Sequence, residues 1–190
     1  MKFIVFAFLL LFPSFAMANL DPAIQGKRAE NFVRALGNEA IATLDQTKGD
    51  PVKRRAMFKK ILSKSFDMKT IARFAMGRYW AIATEAEKKT YTRLFKKMVI
   101  DVYSNRFADY KDQKFEIVGH KPAGRKDFVV NSFIKGDSRP VNVDWRVRNG
   151  KVIDVMVEGV SMSVTQRSEF GSVIQRGGGK VSSLIDHLQK

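Results

Sequence analysis

The amino-acid sequence predicts an α+β fold: a curved, four-stranded antiparallel sheet packed against several helices. Three observations predict it. Apolar residues recur with a helical period from Pro22 to about Asp109. From Lys114 the period changes to 2, in four segments: Lys114–Lys121, Asp127–Lys135, Arg139–Arg148 and Lys151–Met162. Short turns separate those segments, namely Pro122-Ala123-Gly124, Gly136-Asp137-Ser138 and Asn149-Gly150, and connections this short join antiparallel neighbours.

The helices announce their starts. Asp21-Pro22 and Asp50-Pro51 each place a capping carboxylate before a proline at the first helical position. The first helix should run to about Thr47 with Phe32, Val33, Leu36, Ala40, Ile41 and Leu44 as its apolar stripe. The second carries Phe58, Ile61 and Leu62 on one side and Lys53, Arg54, Arg55, Lys59 and Lys60 around the rest. Asp67 caps a short third helix that stops near Gly77. Thr84-Glu85-Ala86-Glu87 is a capping box that opens a long helix, whose wide stripe includes Tyr91, Leu94, Phe95, Met98, Val99, Val102, Tyr103 and Phe107. After Ser161 the pattern is helical again, is interrupted at Gly177-Gly178-Gly179, and ends in an amphipathic segment with Val181, Leu184, Ile185 and Leu188.

The Asn149-Gly150 turn sets the register of the last long hairpin. A two-residue loop places Trp145 opposite Asp154. A three-residue loop, Arg148-Asn149-Gly150, places Trp145 opposite Ile153 and Val143 opposite Val155. Matching apolar faces favours the longer loop, with Gly150 left-handed in a bulge. The other sheet face then carries Asn142, Asp144, Arg146 and Asp154.

Composition bounds the function. Lys2, the apolar stretch Phe3 to Phe15 and Ala16-Met17-Ala18 have the layout of a cleaved leader, with a mature single domain from Asn19 to Lys190. The apolar stretch is short for a membrane span of about 20 residues. Without the leader the chain has 33 basic and 19 acidic residues, a net charge of +14. Such a charge would suit nucleic acid, but export argues against that partner. Anionic headgroups, membrane surfaces and acidic proteins are the fitting ones. The chain contains no cysteine, so no disulfide framework supports the fold.

Catalytic constellations are sparse. His120 sits at a strand end and His187 in the C-terminal tail, with no metal-ligand spacing. Gly159-Val160-Ser161-Met162-Ser163 lacks the second glycine of a nucleophile elbow, so Ser161 or Ser163 reads better as a helix cap. A sheet cone with helices on its apolar face is similar to the NTF2-like cone of ketosteroid isomerase, where Asp154 and Tyr103 could serve an enzyme. In the preferred register Asp154 points away from the apolar face.

The string Asp154-Val155-Met156-Val157-Glu158-Gly159-Val160-Ser161, followed by Arg167-Ser168 and Phe170, resembles the MlaC or toluene-tolerance family. Phe66-Asp67, Ile71-Ala72-Arg73, Gly77 with Trp80, Phe95 and Tyr103 add weaker matches. The resemblance implies a periplasmic, non-enzymatic carrier of phospholipid without cofactor or metal. Its partners would be an outer-membrane lipoprotein complex and the substrate-binding subunit of an inner-membrane ABC transporter, with no stable membrane insertion. The implied slot lies between a sheet face of Val130, Val143, Trp145, Val155 and Val157 and a helical wall. That wall comprises Phe74, Met76, Tyr79, Trp80 and, from the long helix, Phe95, Met98, Val99, Val102 and Tyr103. The alternatives are an enzyme acting on a small apolar substrate in the same cone, a carrier of hopanoid-type lipid, and a basic adaptor that coats membranes.

Overall fold

The computed structural model describes residues 21–106, 114–136 and 139–190. The expected leader, Phe107 and most of the Gly136-Asp137-Ser138 turn lie outside the described residues. Helices α1 (Pro22–Gln46), α2 (Pro51–Ser65) and α3 (Met68–Met76) are followed by a 3-10 turn (Gly77–Ala81) and α4 (Glu85–Arg106). Strands β1 (Lys114–Pro122), β2 (Asp127–Lys135), β3 (Val141–Arg148), β4 (Lys151–Val157) and β5 (Val160–Ser161) lead to α5 (Met162–Arg176) and α6 (Val181–Gln189).

The caps form as the residue types dictate. Asp50 accepts a hydrogen bond from the Lys53 amide at 2.8 Å. Asp67 accepts from the Thr70 amide at 3.0 Å and from its hydroxyl at 2.6 Å. Thr84 and Glu87 cap each other reciprocally: the Thr84 amide donates to Glu87 Oε2 at 2.8 Å, and the Glu87 amide to Thr84 Oγ1 at 3.2 Å.

The sheet is an antiparallel meander in the order β1-β2-β3-β4-β5. Two sequence expectations are corrected here. The fourth segment is not one strand: Glu158 and Gly159 both take positive φ, and the tight turn they make splits off the short β5, giving five strands. The hairpin before it uses the two-residue Asn149-Gly150 loop, both residues at positive φ, and not the three-residue loop. Val147 therefore pairs with Val152. An extra residue, Ile153, bulges from β4, so Arg146 pairs with Asp154, Trp145 with Val155 and Val143 with Val157. The apolar faces are matched, as hydrophobic burial requires, but by a bulge within the strand rather than by a longer turn. A second register shift, at Val118, bends β1.

One sheet face carries Phe115, Ile117, Val130, Ile134, Val143, Trp145, Val147, Val155 and Val157 toward the helices. The opposite face is tied together by polar pairs. Asp127 is buried and is gripped by Arg146 (Nε–Oδ2 2.8 Å) and Arg148 (Nε–Oδ1 2.6 Å). Burial opposes ionisation of this carboxyl, but the two guanidiniums outweigh it and hold the group below its ordinary value.

Among the described residues, three apolar clusters hold the elements in place. Among the helices, Phe170 packs edge to face on both Tyr91 and Phe95, in a cluster with Met76, Ala72, Ile174 and Leu184, and the Tyr91 hydroxyl donates to the Ala72 carbonyl at 3.0 Å. Beneath α1, Ala29 and Val33 meet Phe128, Val130 and Val147. Leu36, Ile61 and Val152 join α1, α2 and the sheet. Helix α1 lies close on β1 because Gly37 leaves room for the Phe115 ring; a Cβ at Gly37 would stand 2.3 Å from Phe115 Cδ1. The α1–β1 contact is completed by Glu30, which accepts from Lys27 at 2.7 Å and pairs with His120 Nδ1 at 2.7 Å.

Candidate functional site

The inward sheet face and the helices do not close completely on each other. They enclose a cavity of about 420 Å³, within the range of about 300–1,000 Å³ typical of ligand pockets. Its wall is a ring of neighbouring elements: β1, β2, β3 and β4, then α5, α3, α4, α2 and α1, which closes back onto β1.

Chain direction defines the two ends of this ring. Leu44 lies near the end of α1 and Arg54 near the start of α2, joined by the 47–50 connection. Tyr103 and Ser104 lie late in α4, and Lys114 starts β1. Ile134 and Val141 flank the β2–β3 connection, and Val157 and Met162 flank the β4–α5 connection. The described ends of these elements therefore lie together at one end, where Lys114 and Val141 are exposed. That end is the mouth. The other end is floored by Leu62, Phe66, Met68, Ile71, Phe95 and Trp145, of which Leu62, Met68 and Phe95 are buried. From Phe95 to Tyr103 the helical wall rises about 12 Å.

Of the fourteen residues proposed for the slot, the structure brings seven into this wall: Phe95, Val99, Tyr103, Val143, Trp145, Val155 and Val157. The other seven lie elsewhere. Met76, Tyr79, Trp80 and Met98 belong to the helical cluster around Tyr91. The 3-10 turn carries Tyr79 and Trp80 to the outside of that cluster, where Arg78 and Lys88 stack on their rings at 5.1 and 5.7 Å. Val130 is closed under α1, and Phe74 and Val102 are exposed. The wall gains Leu36, Ala40, Ile41 and Leu44 from α1 and Phe58, Ile61 and Leu62 from α2. Their apolar stripes were visible in the sequence, but nothing in periodicity separates a stripe facing a cavity from one facing a core.

The possible catalytic groups are engaged in structural roles. Ser161 caps α5, accepting from the Val164 amide at 3.1 Å, and its hydroxyl donates to Asp154 Oδ2 at 2.5 Å. The other Asp154 oxygen accepts from the Ser163 amide at 3.2 Å. Asp154 thus borders the cavity while its carboxylate secures the β4–α5 junction. The Tyr103 hydroxyl donates to the Met162 sulfur at 3.6 Å across the mouth. His120 of β1 pairs with Glu30 of α1 and is not a wall residue. Among the described residues no group of His, Cys, Asp and Glu could hold a metal ion, and no helix is long and apolar enough to cross a membrane.

Fold and cavity together define an α+β container, apolar inside and polar at its rim. The family model described as MlaC protein matches residues 34–190, and the chain belongs to the MlaC family. It is similar to the toluene tolerance protein ttg2D of Pseudomonas putida, with 25% identity over 191 residues covering 94% of this chain and 84% of that protein. It is also similar to the solved structure of a phospholipid-binding protein from Ralstonia solanacearum in complex with a phospholipid. That likeness has a TM-score of 0.73 at 29% identity and covers 85% of this chain and 94% of the other.

Proposed function

We propose that this protein is a periplasmic phospholipid carrier, exported by a leader cleaved after Ala18, that holds acyl chains in the cavity and leaves the headgroup at the mouth. The observation that carries the reading is the cavity itself: a ring of nine elements with an apolar interior, open at the end where Lys114 and Val141 are exposed. Family membership and the phospholipid in the Ralstonia relative support the same ligand class.

The energetics explain why such a container is needed. Each methylene moved from water to an apolar site gains about 0.8 kcal/mol. Two chains of roughly 14 methylenes would therefore cost on the order of 20 kcal/mol to expose. A lipid cannot cross an aqueous compartment unshielded, and it leaves its carrier only into a docked acceptor. The acceptors in this reading are the substrate-binding subunit of an inner-membrane ABC transporter and an outer-membrane lipoprotein complex. The exposed lysines Lys53, Lys59 and Lys60 on α2 provide a docking face. No covalent step is part of the function: the Ser161 hydroxyl is committed to Asp154 and the cap of α5.

Native mass spectrometry of the purified protein tests the reading. One phospholipid per chain, recovered intact by thin-layer analysis, is the expected result. Protein that binds no lipid even after incubation with phospholipid micelles would sink it. Free fatty acid accumulating in excess of protein, and lost in Ser161→Ala, would make it an enzyme.

A further inference from the structure

The cavity wall carries charge that a purely apolar guest does not require. Its side chains charged at neutral pH are Arg54, Lys114 and Asp154. Asp154 is occupied by the Ser161 hydroxyl and the Ser163 amide. Arg54 and Lys114 are different: among the described residues no carboxylate lies within ion-pair distance of either. The contrast with the next residue is sharp. Arg55 turns away from the cavity and meets Asp101 at 2.5 Å, and Lys97 shares that same carboxylate at 2.9 Å. Arg54 is half-buried at the mouth beside Leu44 and Phe58, and Lys114 opens β1 on the other side of α1. A guanidinium held against an apolar wall without a counter-charge is poorly solvated, and an anion delivered by the ligand relieves that cost.

If the cavity holds acyl chains as proposed above, their polar end emerges at this position. We infer that Arg54 and Lys114 form an anion seat for the phosphate of a bound glycerophospholipid and make the carrier selective for headgroups of net negative charge. The geometry of each residue suits its part. A guanidinium offers a planar fork that matches two phosphate oxygens, and an ammonium adds a flexible second charge. The basic side chains of α2 that have no carboxylate partner among the described residues thereby divide into two sets. Arg54 faces the ligand, whereas Lys53, Lys59 and Lys60 face solvent.

Delipidated protein is equilibrated with mixed micelles holding equal amounts of phosphatidylglycerol and phosphatidylethanolamine with matched acyl chains. The lipid retained per chain is then identified by mass spectrometry. The wild-type protein should enrich phosphatidylglycerol about threefold per seat cation, the scale of a partly exposed ion pair. Arg54→Gln with Lys114→Gln should bring the ratio close to one. Replacing Lys53, Lys59 and Lys60 by glutamine should leave the enrichment as it was. Both seat residues lie at the rim, and an unchanged thermal midpoint verifies that the variant is folded. Full occupancy with no headgroup preference in the wild type, or a preference that survives the double replacement, overturns the seat and leaves the carrier reading standing. No lipid uptake by the wild type defeats the carrier reading, and the lipid seat with it. Inorganic phosphate titrated calorimetrically into delipidated protein distinguishes the source of the anion. No saturable heat is expected, and saturable binding abolished by Arg54→Gln would mean that the seat serves free anions, not lipid.

Discussion

Val152 and Val155 stand three positions apart on β4, on either side of the Ile153 bulge, and a carboxylate placed at each should do opposite things. Val152 is fully buried (0% exposed) between Leu36 and Ile61. Val155 is half-buried, pairs with Trp145 and faces the cavity. In Val152→Asp the new carboxyl has no water and no partner. The penalty is on the order of 3–5 kcal/mol, a large share of the roughly 5–15 kcal/mol that holds a domain folded. In Val155→Asp the carboxylate of the empty protein keeps its water in the open cavity. The cost there is about 1 kcal/mol, part of the value of burying a valine, and lowers the thermal midpoint by roughly 2–4 °C for a chain of this size. Seating acyl chains expels that water. Burying the polar group then costs about 2–4 kcal/mol, which weakens lipid retention by about 30- to 1,000-fold. Thermal melting of delipidated protein and lipid counted per chain after micelle exchange read the two effects separately. Full lipid occupancy in Val155→Asp, or a melting point as low as that of Val152→Asp, would refute the distinction between wall and core.

Three further outcomes follow from named contacts. Asp154→Ala removes the acceptor of the Ser161 hydroxyl and the Ser163 amide and should cost about 1–3 kcal/mol in urea unfolding while lipid transfer persists. Gly150→Ala forces a Cβ into φ 68° at the β3–β4 turn and should cost about 1 kcal/mol by the same measure, without altering occupancy. Stability should fall in acid. Glu30 is held below its ordinary value of 4.5, first by its hydrogen bond with Lys27 and then by that with His120, and the two guanidiniums hold Asp127 below 3.8. Both groups release protons on folding, so their contribution is complete above about pH 5 and is lost as the pH drops through 4.5 and below. Melting between pH 7 and pH 3 should show this loss, and Asp127→Asn should flatten its most acidic part.

The starts of the helices were legible because Asp50, Asp67 and the Thr84/Glu87 pair act locally, within one turn of the residues they cap. The strands were legible from alternation. Register was harder, because two physical solutions satisfy the same hydrophobic match. A longer turn and a bulge both bring Trp145 to the apolar face, and the Asn149-Gly150 pair, able to take positive φ at both positions, favoured the short turn plus the bulge. Glu158-Gly159 went unread as a turn because the alternating pattern continues through it. The cavity wall was half legible. Period identifies which residues leave a surface, whereas the occupants of a gap depend on where two surfaces fail to meet. Trp80 shows the limit: it is as large and apolar as Trp145, but a 3-10 turn carries it to the far side of Tyr91.

The clusters also explain how a chain of this size can leave a space inside itself. Tyr91, Phe95 and Phe170 lock α4 to α5, and Val33, Phe128 and Val147 lock α1 to the sheet. The two bodies are joined at the cavity floor, where the Asp67 amide donates to the Val152 carbonyl at 2.9 Å and Leu36, Ile61 and Val152 close together. The walls are thus anchored at one end and spread toward the other. Tolerance to substitution should accordingly follow depth and not residue type: a polar group beside Leu62 or Phe95 breaks the joint, whereas the same group at Val157 or Val141 meets water until a ligand arrives. A container built in this way should keep its shape when empty, as the proposed release of lipid to an acceptor requires.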